Sequence, residues 1–111
     1  MVRVLISAVV GAGVVGGCGA GAKKAASAWV DEAYAHVTLE DGVDAREAEV
    51  LAVAYFHSYI SGCGAVGAIV DRGDAWEAET WVGIAARRDE SIFIDKTTGV
   101  MRCRKGPMIQ Q

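Results

Sequence analysis

The sequence predicts an α+β fold: two N-terminal helices packed on a four-stranded antiparallel meander, preceded by a signal peptide. Three observations carry this. Residues 4–18 contain no charge and end in a cysteine. Apolar residues then recur at helical spacing up to about residue 63. From residue 65 onward the repeat switches to two, broken by turn-forming residues.

The first segment admits three readings. Its uncharged run is shorter than the roughly 20 apolar residues of a membrane span, and Gly11, Gly13, Gly16 and Gly17 make it a poor helix. Gly11-Ala12-Gly13-Val14-Val15-Gly16 fits the spacing of a dinucleotide-binding turn. That unit needs a following helix and a second parallel strand, yet the glycines continue through Gly17, Gly19 and Gly21. The third reading fits in both order and spacing. Met1-Val2-Arg3 is a short basic start, and Val4 to Val15 is an apolar stretch of export-signal length. Val15-Gly16-Gly17-Cys18 resembles the bacterial lipobox, in which small residues flank the cut and the cysteine thiol takes a diacylglycerol. The domain organisation expected is a lipoprotein signal at 1–17, a lipidated tether at 18–22 and one α+β domain at 23–111. The lipobox implies a lipid-anchored protein of the bacterial cell envelope. Gly19, where an aspartate would retain the protein at the inner membrane, implies the periplasmic face of the outer membrane.

The element order follows. Ala26, Trp29, Val30, Ala33 and Val37 share one helical face, which predicts a helix over 23–37. Asp44, with Glu47 three residues on, forms a capping box and opens the second helix. Its stripe is Ala48, Ala52, Tyr55, Phe56, Tyr59, Ile60 and Cys63, ended by Gly62 and Gly64. Strands are expected at 65–70, 75–83, 91–95 and 99–104. Asp71-Arg72-Gly73-Asp74 reads as a hairpin turn, as does the segment from Asp95 to Gly99. Alternation sends Trp76, Ala78, Thr80 and Val82 to one face of the second strand, and Glu77, Glu79 and Trp81 to the other. Residues 83–90 are expected as the longest loop.

Charge narrows the function. The whole chain carries a net charge of −3. Loss of residues 1–17 removes only Arg3, leaving ten basic against fourteen acidic groups, a net −4. That balance argues against nucleic-acid binding, which draws on clustered cations. With Cys18 lipidated, Cys63 and Cys103 form an even pair in an oxidising compartment. A bridge between them is expected, the alternative being two separate buried thiols. No cysteine or histidine spacing suits a metal, and no cofactor motif holds up. His36 and His57 lack a nucleophile at useful spacing. Arg72-Gly73-Asp74 spells an integrin-type tripeptide, here read as turn chemistry. A non-enzymatic, partner-binding surface is expected at Glu77, Glu79 and Trp81, with Arg87 and Arg88 on the adjoining loop. An aromatic anchor with a charged rim is the pattern of protein interfaces.

Residues 40 to about 106 carry a resemblance to a known family. The helix from Asp44, the run Gly73-Asp74-Ala75-Trp76-Glu77-Ala78 and the segment Ile92-Phe93-Ile94-Asp95-Lys96-Thr97-Thr98-Gly99-Val100-Met101 resemble bacterial immunity proteins with a nuclear-transport-factor-like (cystatin-like) fold. That resemblance implies a module that occludes a toxin or other partner enzyme. The Asp95-to-Gly99 hairpin is also similar to PepSY modules, which would imply restraint of a periplasmic peptidase. A small enzyme of the same superfold is the third class. Where the immunity family often carries Gly-Gly, this chain has Arg87-Arg88-Asp89-Glu90-Ser91.

Overall fold

A computed structural model describes residues 26–110. The expected signal segment, Cys18 and the tether lie outside the described residues. Two helices pack on one face of an antiparallel sheet, as the two hydrophobic periods require. Among the described residues no helix is long and apolar enough to cross a membrane.

Helix α1 spans Ala26–Tyr34 and α2 spans Ala45–Tyr55. The capping box at the start of α2 is complete. Glu47 N–H donates to Asp44 Oδ1 at 2.8 Å, and Asp44 N–H donates to Glu47 Oε1 at 3.1 Å. The second oxygen of Glu47 accepts from Thr38 N–H at 3.2 Å, fixing the connection between the helices. Asp44→Ala should lower stability by about 1 kcal/mol in urea unfolding, because the Glu47 N–H loses its side-chain acceptor.

Helix α2 does not run on as an α-helix to Cys63. It widens into a π-helical turn, Phe56–Ile60, closed by Ser61 N–H donating to Phe56 O at 2.9 Å. The wider turn re-phases the apolar stripe. Ala48, Leu51, Ala52, Tyr55 and Phe56 are fully buried, whereas Tyr59 and Ile60 sit at the margin. Gly64, expected beyond the helix end as a stop, instead opens the first strand at φ +135°.

The strands are β1 Gly64–Asp71, β2 Ala75–Val82, β3 Arg87–Arg88, β4 Ile92–Asp95 and β5 Met101–Arg102. The sheet order is β1-β2-β4-β5, with β3 also pairing β2. So β3 and β4 form one returning arm alongside β2, interrupted at residues 89–91. That interruption is anchored by Thr80. Its backbone oxygen accepts from Asp89 N–H at 3.0 Å, and its buried hydroxyl donates to Glu90 O at 2.8 Å. The segment expected as loop 83–90 therefore holds a tight turn and a strand. The strand expected at 99–104 is shortened to two residues. Gly99, at φ +76°, belongs to the turn, which Asp95 Oδ1 organises by accepting from Thr97 N–H and Thr98 N–H, both at 2.8 Å.

Strand β1 has a bulge. Val66 pairs with Thr80 and Ile69 with Ala78, so Gly67 and Ala68 together face Glu79. The inner face carries Ala78, Ile92, Ile94 and Met101, all fully buried against Val30, Leu51, Tyr55 and Phe56. Ile92 and Ile94 point inward while Phe93 points outward, as strand alternation requires.

The expected Cys63–Cys103 bridge is not formed, because Cys103 is a free thiol. The sheet order explains why. Cys63 precedes β1 at one edge and Cys103 follows β5 at the other, with β2 and β4 between them. Three interstrand steps are about 14 Å, well beyond the roughly 7 Å limit for a disulfide. Cys63 has its interaction elsewhere, with a partner other than Cys103.

Candidate functional site

Because both helices cover the inner face, the outer face of the sheet is left open. Four of the five residues expected to bind a partner meet there. Glu77, Glu79 and Trp81 alternate along β2, and Arg88 of β3 stands opposite Trp81. Arg87 does not join them. It pairs with Val82 and, by strand alternation, projects from the other face.

The cluster is built around Arg88. Its guanidinium lies 5.6 Å from the Trp81 ring centroid. Its Nη2 is 3.8 Å from Glu77 Oε2 and 4.0 Å from Glu79 Oε2, and it donates to Ser91 Oγ at 3.1 Å. Ser91 Oγ–H in turn donates to Glu77 Oε2 at 2.7 Å. Arg72 Nε–H holds the other oxygen of Glu77 at 2.8 Å. These partners keep the Glu77 carboxyl below the usual carboxylate range, the Ser91 hydrogen bond first and the Arg72 hydrogen bond next. Glu77 is therefore a fixed anion near neutral pH and no reservoir of protons. The integrin-type tripeptide is likewise spent on structure, since Arg72 folds back onto the sheet.

Trp81 sits on a seat made by the bulge. A Cβ on Gly67 would fall 2.5 Å from its Nε1 and 3.0 Å from its Cδ1. The ring is thus in contact with the backbone below, gripped by Arg88 at its side, and still 36% exposed. A large aromatic held this way has already lost its rotamer freedom, which lowers the cost of binding through it. The importance of Arg72, Ser91 and Gly67 is not evident in the sequence pattern. Only the hairpin register, with Val70 opposite Glu77, could have pointed to Arg72.

An open groove of about 490 Å³ adjoins the cluster, lined by Glu90, Ser91, Phe93, Arg102, Cys103 and Arg104. The residues that follow and precede this lining in sequence, Lys105 and Asp89, form an ion pair at 2.8 Å. Burial pushes the Cys103 thiol above its ordinary pKa, so it is not an activated nucleophile.

The histidines lie elsewhere. His36 is exposed after α1. His57, in the π turn, stacks edge-on between Trp29 at 6.3 Å and Phe56 at 5.1 Å. Burial lowers its pKa. The folded state then binds this proton less readily than the unfolded chain, so stability should fall as pH drops below about 6.5. Thermal melts from pH 7 to pH 5 should record that fall, and His57→Gln should flatten it. Among the described residues, no group of three His, Cys, Asp or Glu side chains could hold a metal.

The fold and site together define a two-layer α+β protein with an open, pre-ordered sheet face. Comparison with protein-family models, with curated proteins and with solved structures finds no match.

Proposed function

We propose that this chain is an exported, lipid-anchored binding protein of the bacterial envelope that occludes a partner enzyme or toxin with the outer face of its sheet. The observation that carries the reading is the Trp81 cluster. A half-exposed indole is seated on Gly67 and clamped by Arg88, on the one sheet face the helices leave bare. Rigid aromatic and arginine anchors of this kind dominate protein–protein binding energy. Glu77 and Glu79 are partly satisfied within the chain, so docking need not strip water from unpaired carboxylates. The lipobox-like run ending at Cys18 supplies the anchor, with Gly19 pointing to the periplasmic face of the outer membrane. Two helices over an antiparallel sheet are the coarse arrangement that the resemblance to nuclear-transport-factor-like immunity proteins implies.

Site-directed photo-crosslinking tests this reading. A photoreactive residue is placed at position 81, or at exposed Glu49 on the helical side, in the full chain in its native envelope. One protein should be captured from position 81 and not from 49, and the purified chain should block that protein's activity. Equal capture from both positions, or none, would remove the proposal. Capture of a peptidase would direct it to the PepSY-like variant of the same role.

A further inference from the structure

We infer that the turn between β2 and β3 docks on an anionic lipid surface, setting the orientation of the anchored protein. This rests on the lipid anchor proposed above. At the turn's tip Ile84 is 94% exposed, with exposed Ala85 and Ala86 beside it. An isoleucine so placed gains nothing from its own chain. The tip is nonetheless held in one shape. Ala86 sits at φ +55°, a left-handed conformation disfavoured for alanine, and its N–H donates to Gly83 O at 3.0 Å. Arg87 follows directly, exposed and without an ion pair among the described residues. An apolar tip backed by arginine is suited to the boundary between acyl chains and anionic headgroups.

The membrane is favoured over a protein as occupant because of where the chain enters the fold. The first turn of α1 carries Trp29, which packs against His57 of the π turn. A few residues on, Cys63 O accepts from Gly83 N–H at 2.9 Å. The start of α1, Cys63 and the Ile84 turn therefore lie at one end of the molecule. The β1–β2 and β4–β5 turns lie at the other, joined by Lys96 N–H donating to Asp74 O at 3.0 Å. Seven residues lie between Cys18 and Ala26, and the eight steps joining them reach at most about 28 Å fully extended. A lipid on Cys18 would keep the Ile84 end near the bilayer and the opposite turns away from it.

Hydrogen exchange of the full native protein tests this. It is attached to vesicles of equal parts phosphatidylglycerol and phosphatidylcholine, and compared with vesicles of phosphatidylcholine alone. The amides of Ile84 and Ala85 should slow several-fold on the anionic vesicles only. Ile84→Asp and Arg87→Glu should stay attached through the lipid yet lose that protection. Unchanged exchange at these amides in protein that is attached would overturn the inference alone. Protection that appears only after a protein partner is added would also overturn it, by assigning the tip to that partner. Protein that never attaches would overturn the anchor and this inference with it.

Discussion

Gly64→Ala is expected to destabilise the fold by roughly 3 kcal/mol or more, one of the two largest effects foreseen here. Gly64 stands at φ +135°, which an L side chain rarely adopts. An added Cβ would also press into the backbone oxygen of Trp81 and lie 2.9 Å from both Val82 Cα and Phe56 Cζ. None of these can yield cheaply. Two belong to the neighbouring strand, and the third is a fully buried ring. Gly73→Ala is the matched control. It too has positive φ, at +93°, but nothing lies within 4 Å of an added Cβ. Only the conformational cost remains there, about 1 kcal/mol. Urea midpoints at unchanged slope should separate the two variants clearly. Near-equal values would mean that β1 does not approach β2 as closely as described.

Trp81→Ala is expected to weaken partner binding by about 2 kcal/mol or more, roughly 30-fold in Kd. Its effect on folding should be small, because the ring lies on the outer face, outside the core. Gly67→Ala offers a second route to the same site. It keeps the indole but drives it off its seat, so binding should fall without loss of aromatic surface. Titration calorimetry with the captured partner would read both. Undiminished affinity in Trp81→Ala would place the interface elsewhere on the chain.

Much of this architecture is legible in the sequence, and the exceptions have physical causes. The capping box at Asp44 and Glu47 and the Asp71 and Asp95 hairpins use local chemistry, which short stretches of sequence display. The separation of Glu77, Glu79 and Trp81 from Ala78 and Thr80 follows from strand alternation. The π turn at 56–60 leaves no such trace, because one shifted hydrogen bond barely alters the spacing of apolar residues. The bulge at Gly67-Ala68 is equally silent, although it makes the seat for Trp81. The pairing of Cys63 with Cys103 failed for a different reason. It depended on sheet order, which is set by long-range contacts and puts the two residues at opposite edges. Arg87 and Arg88 are adjacent in sequence, yet alternation within β3 divides them between two faces.

Peptide mapping by mass spectrometry of the native protein tests the central claim, that the chain is cut before Cys18 and held by lipid on that sulfur. A lipid there would occupy the sulfur as a thioether, so the same atom could not also serve as a disulfide partner of Cys63. The account predicts a mature amino terminus at Cys18 carrying diacylglycerol, with no peptide joining Cys18 to Cys63. An amino terminus at Met1 with an unacylated Cys18, or a Cys18–Cys63 disulfide peptide, would contradict it.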